Sequence, residues 1–185
     1  MRGEAGRGGW GQRARRNITP AQAVIAMAVG AGWGAGLIHG GLIVVVLFLM
    51  VSDPVLGIIN LLLVTASIPL SLAVWGVGLV LATPGWFLLH RLGVRSRFVA
   101  AVYGATLAFA AVLGVLTGGF DLIPPEPGSS YSASAYGIPT VIDDRLTPYG
   151  WFDAARTSSV IALVAAIVGW VVAHVAYSPP KEPAA

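Results

Sequence analysis

Histidines are the side chains in this 185-residue sequence best suited to hold a metal or a haem, and there are three of them. His90 and His174 close two apolar blocks at similar depth. Two imidazoles facing each other from neighbouring helices could ligate a haem iron axially. His39 stands near the middle of an apolar block, where a polar ring must find a protein partner. Asn60, Thr65 and Thr106 are the candidates for an interhelical hydrogen bond to it. Asp143 and Asp144 form the one adjacent pair of carboxylates outside the apolar blocks. Adjacent acids with no further ligands read as a solvated turn, since a divalent-ion loop needs more oxygen donors.

Other chemistries are excluded by composition. There is no cysteine, so disulfides, thiolate metal sites and cysteine nucleophiles are ruled out. No histidine accompanies the serines and acids of the long polar link, so a serine–histidine–acid triad cannot form there. No Asp, Glu, Lys or Arg lies well inside any apolar block. An ion-coupled transporter lacks its usual coupling group, and a retinal Schiff base lacks its lysine. A pore for a neutral solute needs no charge and stays open. The net charge of +3 is too small and too divided to suggest nucleic-acid binding.

The elements that must position these side chains lie in lipid. Hydrophobic residues make up 56% of the chain and charged residues 10%, against about 25% charged in an ordinary soluble domain. Positions 20–50 hold no ionisable residue except His39, and 54–89 hold none. Such stretches match hydrocarbon, not water. Spans are expected at about 21–51, 69–89, 98–117 and 158–177, making an all-α polytopic bundle of four transmembrane helices across 20–177. Thr19-Pro20 and Asp53-Pro54 each read as an N-cap followed by proline at the first helical position. The first block is long for one crossing, and tilt, a kink among its glycines or an interfacial start would absorb the excess. Pro69 is expected to end a short helix at 54–67, which is too short to cross alone and suits a re-entrant or interfacial segment.

Orientation follows from the cations. Arginines crowd a basic N-terminal tail at 1–19 and the link holding Arg91, Arg95 and Arg97, while Lys181 lies in the short tail at 178–185. The acids Asp53, Asp121, Glu126, Asp143, Asp144 and Asp153 fall in the alternate links. With four crossings the positive-inside rule puts both termini in the cytoplasm and the 119–156 loop outside. Arg15-Arg16 precedes an apolar run about twice the length of a cleavable signal, so it reads as a retained anchor. The sequon at Asn17 lies on the cytoplasmic side and reads as chance. Ten arginines to one lysine, with abundant Ala, Gly and Val, fit a GC-rich bacterium and hence its inner membrane.

Three rows of small residues recur at four-residue spacing, the interval that brings transmembrane helices into close contact. They are Gly32, Gly36 and Gly40 in the first span; Ala110, Gly114 and Gly118 in the third; Ala165, Gly169 and Ala173 in the fourth. Each fits either internal packing or a docking face. Gly30 and Gly34 line the adjoining row of the first span. Trp75, Trp86, Trp151, Trp170, Tyr103, Tyr149 and Tyr177 are expected at the membrane boundaries. The link at 119–156, rich in Pro and Ser, reads as an extended loop with strand character at 138–142. The expected function is non-catalytic: an accessory or scaffolding subunit, or a self-associating bundle, with the first and fourth rows as contacts. Its partners are the bilayer and a membrane protein or a second copy, with no nucleic acid and no assigned cofactor. A haem-binding redox subunit held by His90 and His174 and a small-solute transporter are the alternatives.

Overall fold

The computed structural model describes residues 18–120, 122 and 130–178. The basic tail at 1–17, the sequon at Asn17, the tail from 179 and the proline-rich part of the long link at 123–129 lie outside the described residues.

Helix α1 runs from Pro20 to Ser52 without interruption. Thr19 starts it with a capping box: its hydroxyl accepts from the Gln22 amide while the Gln22 side chain accepts from the Thr19 amide. Two donors that a helix start would leave bare in lipid are thereby satisfied. Asp53 ends α1 and begins α2, Pro54–Ala66. Its extended backbone breaks the first helix, and Oδ1 accepts from the Leu56 amide at 2.9 Å to start the second.

Helix α3, Ile68–Arg91, follows after the single residue Ser67. The short helix expected at 54–67 is present as α2, and α3 continues from it in the same direction. Pro69 sits in the first turn of α3, where a missing N–H costs nothing. Both helices pack antiparallel along α1. Gly57 lies against Met50, Ser67 meets His39, and Trp75 and Leu79 meet Gly34 and Gly30. The segment Pro54–Arg91 is thus one membrane-length apolar arm.

Helix α4, Arg97–Leu116, and helix α5, Pro148–Tyr177, form the other half. Before α5 comes an antiparallel meander of β1, Ala133–Ala135, β2, Ile138–Ile142, and β3, Arg145–Leu146. Two-residue turns join its strands, and all four turn residues, Tyr136, Gly137, Asp143 and Asp144, have positive φ, as tight hairpins require. Asp143 and Asp144 are therefore the corners of a hairpin. Thr147 ties the meander to α5, donating to the Pro139 carbonyl at 2.7 Å and accepting from the Gly150 amide at 3.0 Å.

The helix α5 begins ten residues before the apolar stretch expected at 158–177, because Thr147 caps it with Pro148 at the first helical position, and Asp153 and Arg156 pair at 2.7 Å within the added turns. It carries half of the buried residues among those described, nearly all small, and packs on α4 and α1. Gly169 lies against the Ala100 carbonyl and Gly104 against that of Ala165. Each row lets the opposite backbone touch, which is how helices adhere in lipid. The outward surface is apolar: Phe48, Leu81, Phe98 and Val115 are each more than 70% exposed. Four helical arms of 20–38 residues, the α2–α3 arm being the longest, are long and apolar enough to cross a membrane.

Candidate functional site

The glycines of α1 divide between two faces. Gly30 and Gly34 are buried, and a methyl group at either would overlap Val172 or the Trp75 indole. Gly32, Gly36 and Gly40 are exposed, and a methyl group at any of them would meet nothing within 4 Å. Ala28, also exposed, extends the row by one turn. The four positions make a shallow strip on the lipid side of the bundle, about 18 Å long at ~1.5 Å per residue. Glycine in a helix interior costs roughly 1 kcal/mol against alanine. At Gly30 and Gly34 close packing offsets that cost, whereas at Gly32, Gly36 and Gly40 no contact within the chain does.

The row of α5 is placed differently. Ala165 and Ala173 are buried and Gly169 faces the α4 backbone. Sequence spacing made this row a second external contact, but α4 and α1 already cover it. In the third row, Gly114 packs against the Phe120 ring, and Gly118 leaves the helix with φ of 59°. Of the three rows, only that of α1 presents a continuous open strip.

His39 is buried and bridges two helices. Its Nδ1 lies 2.8 Å from the Ala35 carbonyl and its Nε2 3.1 Å from the Ser67 hydroxyl. The carbonyl accepts a hydrogen bond from Nδ1; the Ser67 hydroxyl also lies 2.8 Å from the Val64 carbonyl, so its single proton serves either that oxygen or Nε2. The partner is none of the three residues expected from sequence. Asn60 and Thr65 spend their donors on carbonyls four residues back, Leu56 and Leu61, and Thr106 is exposed. Pro69 marked the break at the α2–α3 junction, but nothing in the sequence placed Ser67 at the depth of His39, so this partner was missed. The bond pins the arm to α1 at mid-depth, a contribution of about 0.6 kcal/mol for a typical interhelical bond.

The arginine-rich end gathers the remaining ionisable groups. His90 stacks on Tyr177 with ring centroids 6.0 Å apart, its Nδ1 3.5 Å from the phenol oxygen, and Tyr177 meets Trp86 edge-on. His174 stacks instead on Trp170 at 5.4 Å, where the Arg97 guanidinium also lies, 5.8 Å from the ring. The two imidazoles expected to face one haem thus engage different aromatic rings. Among the described residues, no three His, Asp or Glu side chains cluster as metal ligands would. Two of the aromatics make contacts between helices. Trp75 fills the space over Gly34, and the Tyr103 hydroxyl donates to the Ala82 carbonyl at 2.9 Å.

Fold and surface together define a multi-pass membrane protein built as an all-α bundle with a small β-meander outside its spans. Comparison with protein-family models, with curated proteins and with solved structures finds no match.

Proposed function

We propose that this chain is a non-catalytic accessory or scaffolding subunit of a bacterial inner membrane that works by docking a transmembrane helix on the outward row of α1. One observation carries the reading: Gly32, Gly36 and Gly40 stand open on the lipid side while α1 does its internal packing with Gly30 and Gly34. In lipid, close backbone approach supplies the association that the hydrophobic effect supplies in water. The closest approach needs a small-residue row on both helices, and α1 of a second copy provides one. The occupant in this reading is therefore that helix.

Both termini are assigned to the cytoplasm. Arg91, Arg95 and Arg97 lie at one end of the bundle, while Asp53, Asp143, Asp144 and Asp153 belong to the other, with Arg145 and Arg156 among them. That segregation supports the positive-inside orientation.

Gly36→Leu is the test. It removes the groove and disturbs no internal contact, so the variant should insert, fold and elute as a monomer where the parent associates. Unchanged oligomeric state and unchanged recovery of membrane partners would reject the docking face.

A further inference from the structure

Helices α3 and α4 are joined by only a five-residue link yet stand apart over most of their length. Between them lies a cavity of about 260 Å³. Its floor is α5 at Val168 and Gly169, its walls are Leu79 and Trp86 of α3 and Gly104 and Leu107 of α4. Leu81 and Leu107, both on its rim, are exposed, so the slot opens sideways toward lipid. Its surface is almost wholly apolar.

A second cavity of about 480 Å³ lies at the arginine end, between the start of α1 and the end of α3. It shares Thr83 and Trp86 with the slot, so the two cavities adjoin at these side chains. Its lining is of another kind: Thr19, His90, Arg91 and Arg95 put a hydroxyl, an imidazole and two guanidinium groups on its wall. Ligand pockets in proteins measure about 300–1,000 Å³, and the two chambers together fall within that range. Guanidinium groups match phosphate oxygens in shape and charge.

We infer that the two chambers form one site for an anionic phospholipid, with the phosphate headgroup between Arg91 and Arg95 and an acyl chain in the slot between α3 and α4. A hydrocarbon chain alone would enter any lipid-facing crevice without preference. The guanidinium chamber, at the level where headgroups of the adjoining leaflet lie, makes the site selective. The occupant is a lipid and not a soluble anion because the larger part of the lining is apolar and the slot opens sideways. The assignment is independent of the outward row of α1, to which it contributes no residue.

Native mass spectrometry of the purified full chain, exchanged into mixed micelles of phosphatidylglycerol and phosphatidylcholine of equal chain length, reads the preference directly. The parent should retain phosphatidylglycerol over phosphatidylcholine. Replacing both arginines, Arg91→Gln with Arg95→Gln, should reduce that preference by about thirtyfold while nonspecific lipid adducts persist. Gly78→Phe tests the chain end of the site. Gly78 lines the slot and has open space where a side chain would project, so the ring should fill the slot and lower retention of phosphatidylglycerol without disturbing the helices. Inorganic phosphate carries the head chemistry without chains and should not displace the bound lipid. Equal retention of the two lipids by the parent would overturn the inference even if a variant failed to fold. Displacement by inorganic phosphate would overturn it as well, by showing a soluble-anion site.

Discussion

Helix α1 carries two rows of glycine that are alike in sequence and opposite in use. Gly30 and Gly34 bring α1 against Val172 of α5 and Trp75 of α3, and a methyl group at either has no room. Gly32, Gly36 and Gly40 lie about a third of a turn away and touch nothing. A helix in lipid gains nothing from glycine on an outward face unless another backbone comes to it. The inner row is explained by the chain itself, and for the outer row we propose the helix of a second copy.

The comparison is broken most forcefully at its inner side. Gly34→Val drives two methyl groups into the Trp75 indole, and overpacking of this kind costs about 1–3 kcal/mol. Thermal unfolding in detergent should report the loss, and the α2–α3 arm should become more open to proteolysis. Gly36→Leu, half a turn away, should leave the unfolding midpoint of the monomer within the shift given by about 0.5 kcal/mol. If the two variants destabilised alike, the rows would not differ in role.

A smaller effect sharpens the picture of how the inner face is held. His39→Leu and Ser67→Ala, singly and together, should show a coupling of roughly 0.6 kcal/mol in a double-mutant cycle. Additive losses would mean that the bond is not made in the membrane. A change of comparable size concerns glycine where the backbone does call for it. Asp144 holds φ of 61° at a hairpin corner, and Asp144→Gly should stabilise the meander by up to about 1 kcal/mol. Slower amide exchange across β2 and β3 would register it. Faster exchange would show that the aspartate side chain itself holds the turn.

Much of this architecture is legible in the residues. Uncharged stretches of membrane length define the spans, and Thr19-Pro20 and Asp53-Pro54 mark helix starts by their capping chemistry. The direction in which α1 is turned is not legible. Rows at 30 and 34 and at 32, 36 and 40 have the same spacing, and only the positions of α3 and α5 decide which faces in. The fourth-span row looked equally open, because α4 covers it through its backbone at Ala100 and so leaves no mark on side-chain pattern. The early start of α5 was readable in Thr147-Pro148, an N-cap followed by proline like the other two, but the charges of Asp153 and Arg156 made the segment read as loop. The second hairpin was half visible: β-branched residues at 140–142 suggested a strand, but Asp143-Asp144 lacks the glycine that usually announces such a turn. The slot between α3 and α4 had no sequence signal at all, since it arises from the gap between two helices and not from a motif on either.

The absence of cysteine makes one experiment clean. Single cysteines placed in turn from residue 28 to residue 41, in membranes and under mild oxidation, report which face of α1 meets a second copy. Dimer crosslinks should rise and fall with helical periodicity, peaking at 28, 32, 36 and 40 and vanishing at 30 and 34. A flat profile, or a peak at any other phase, would contradict the docking role of the outer row.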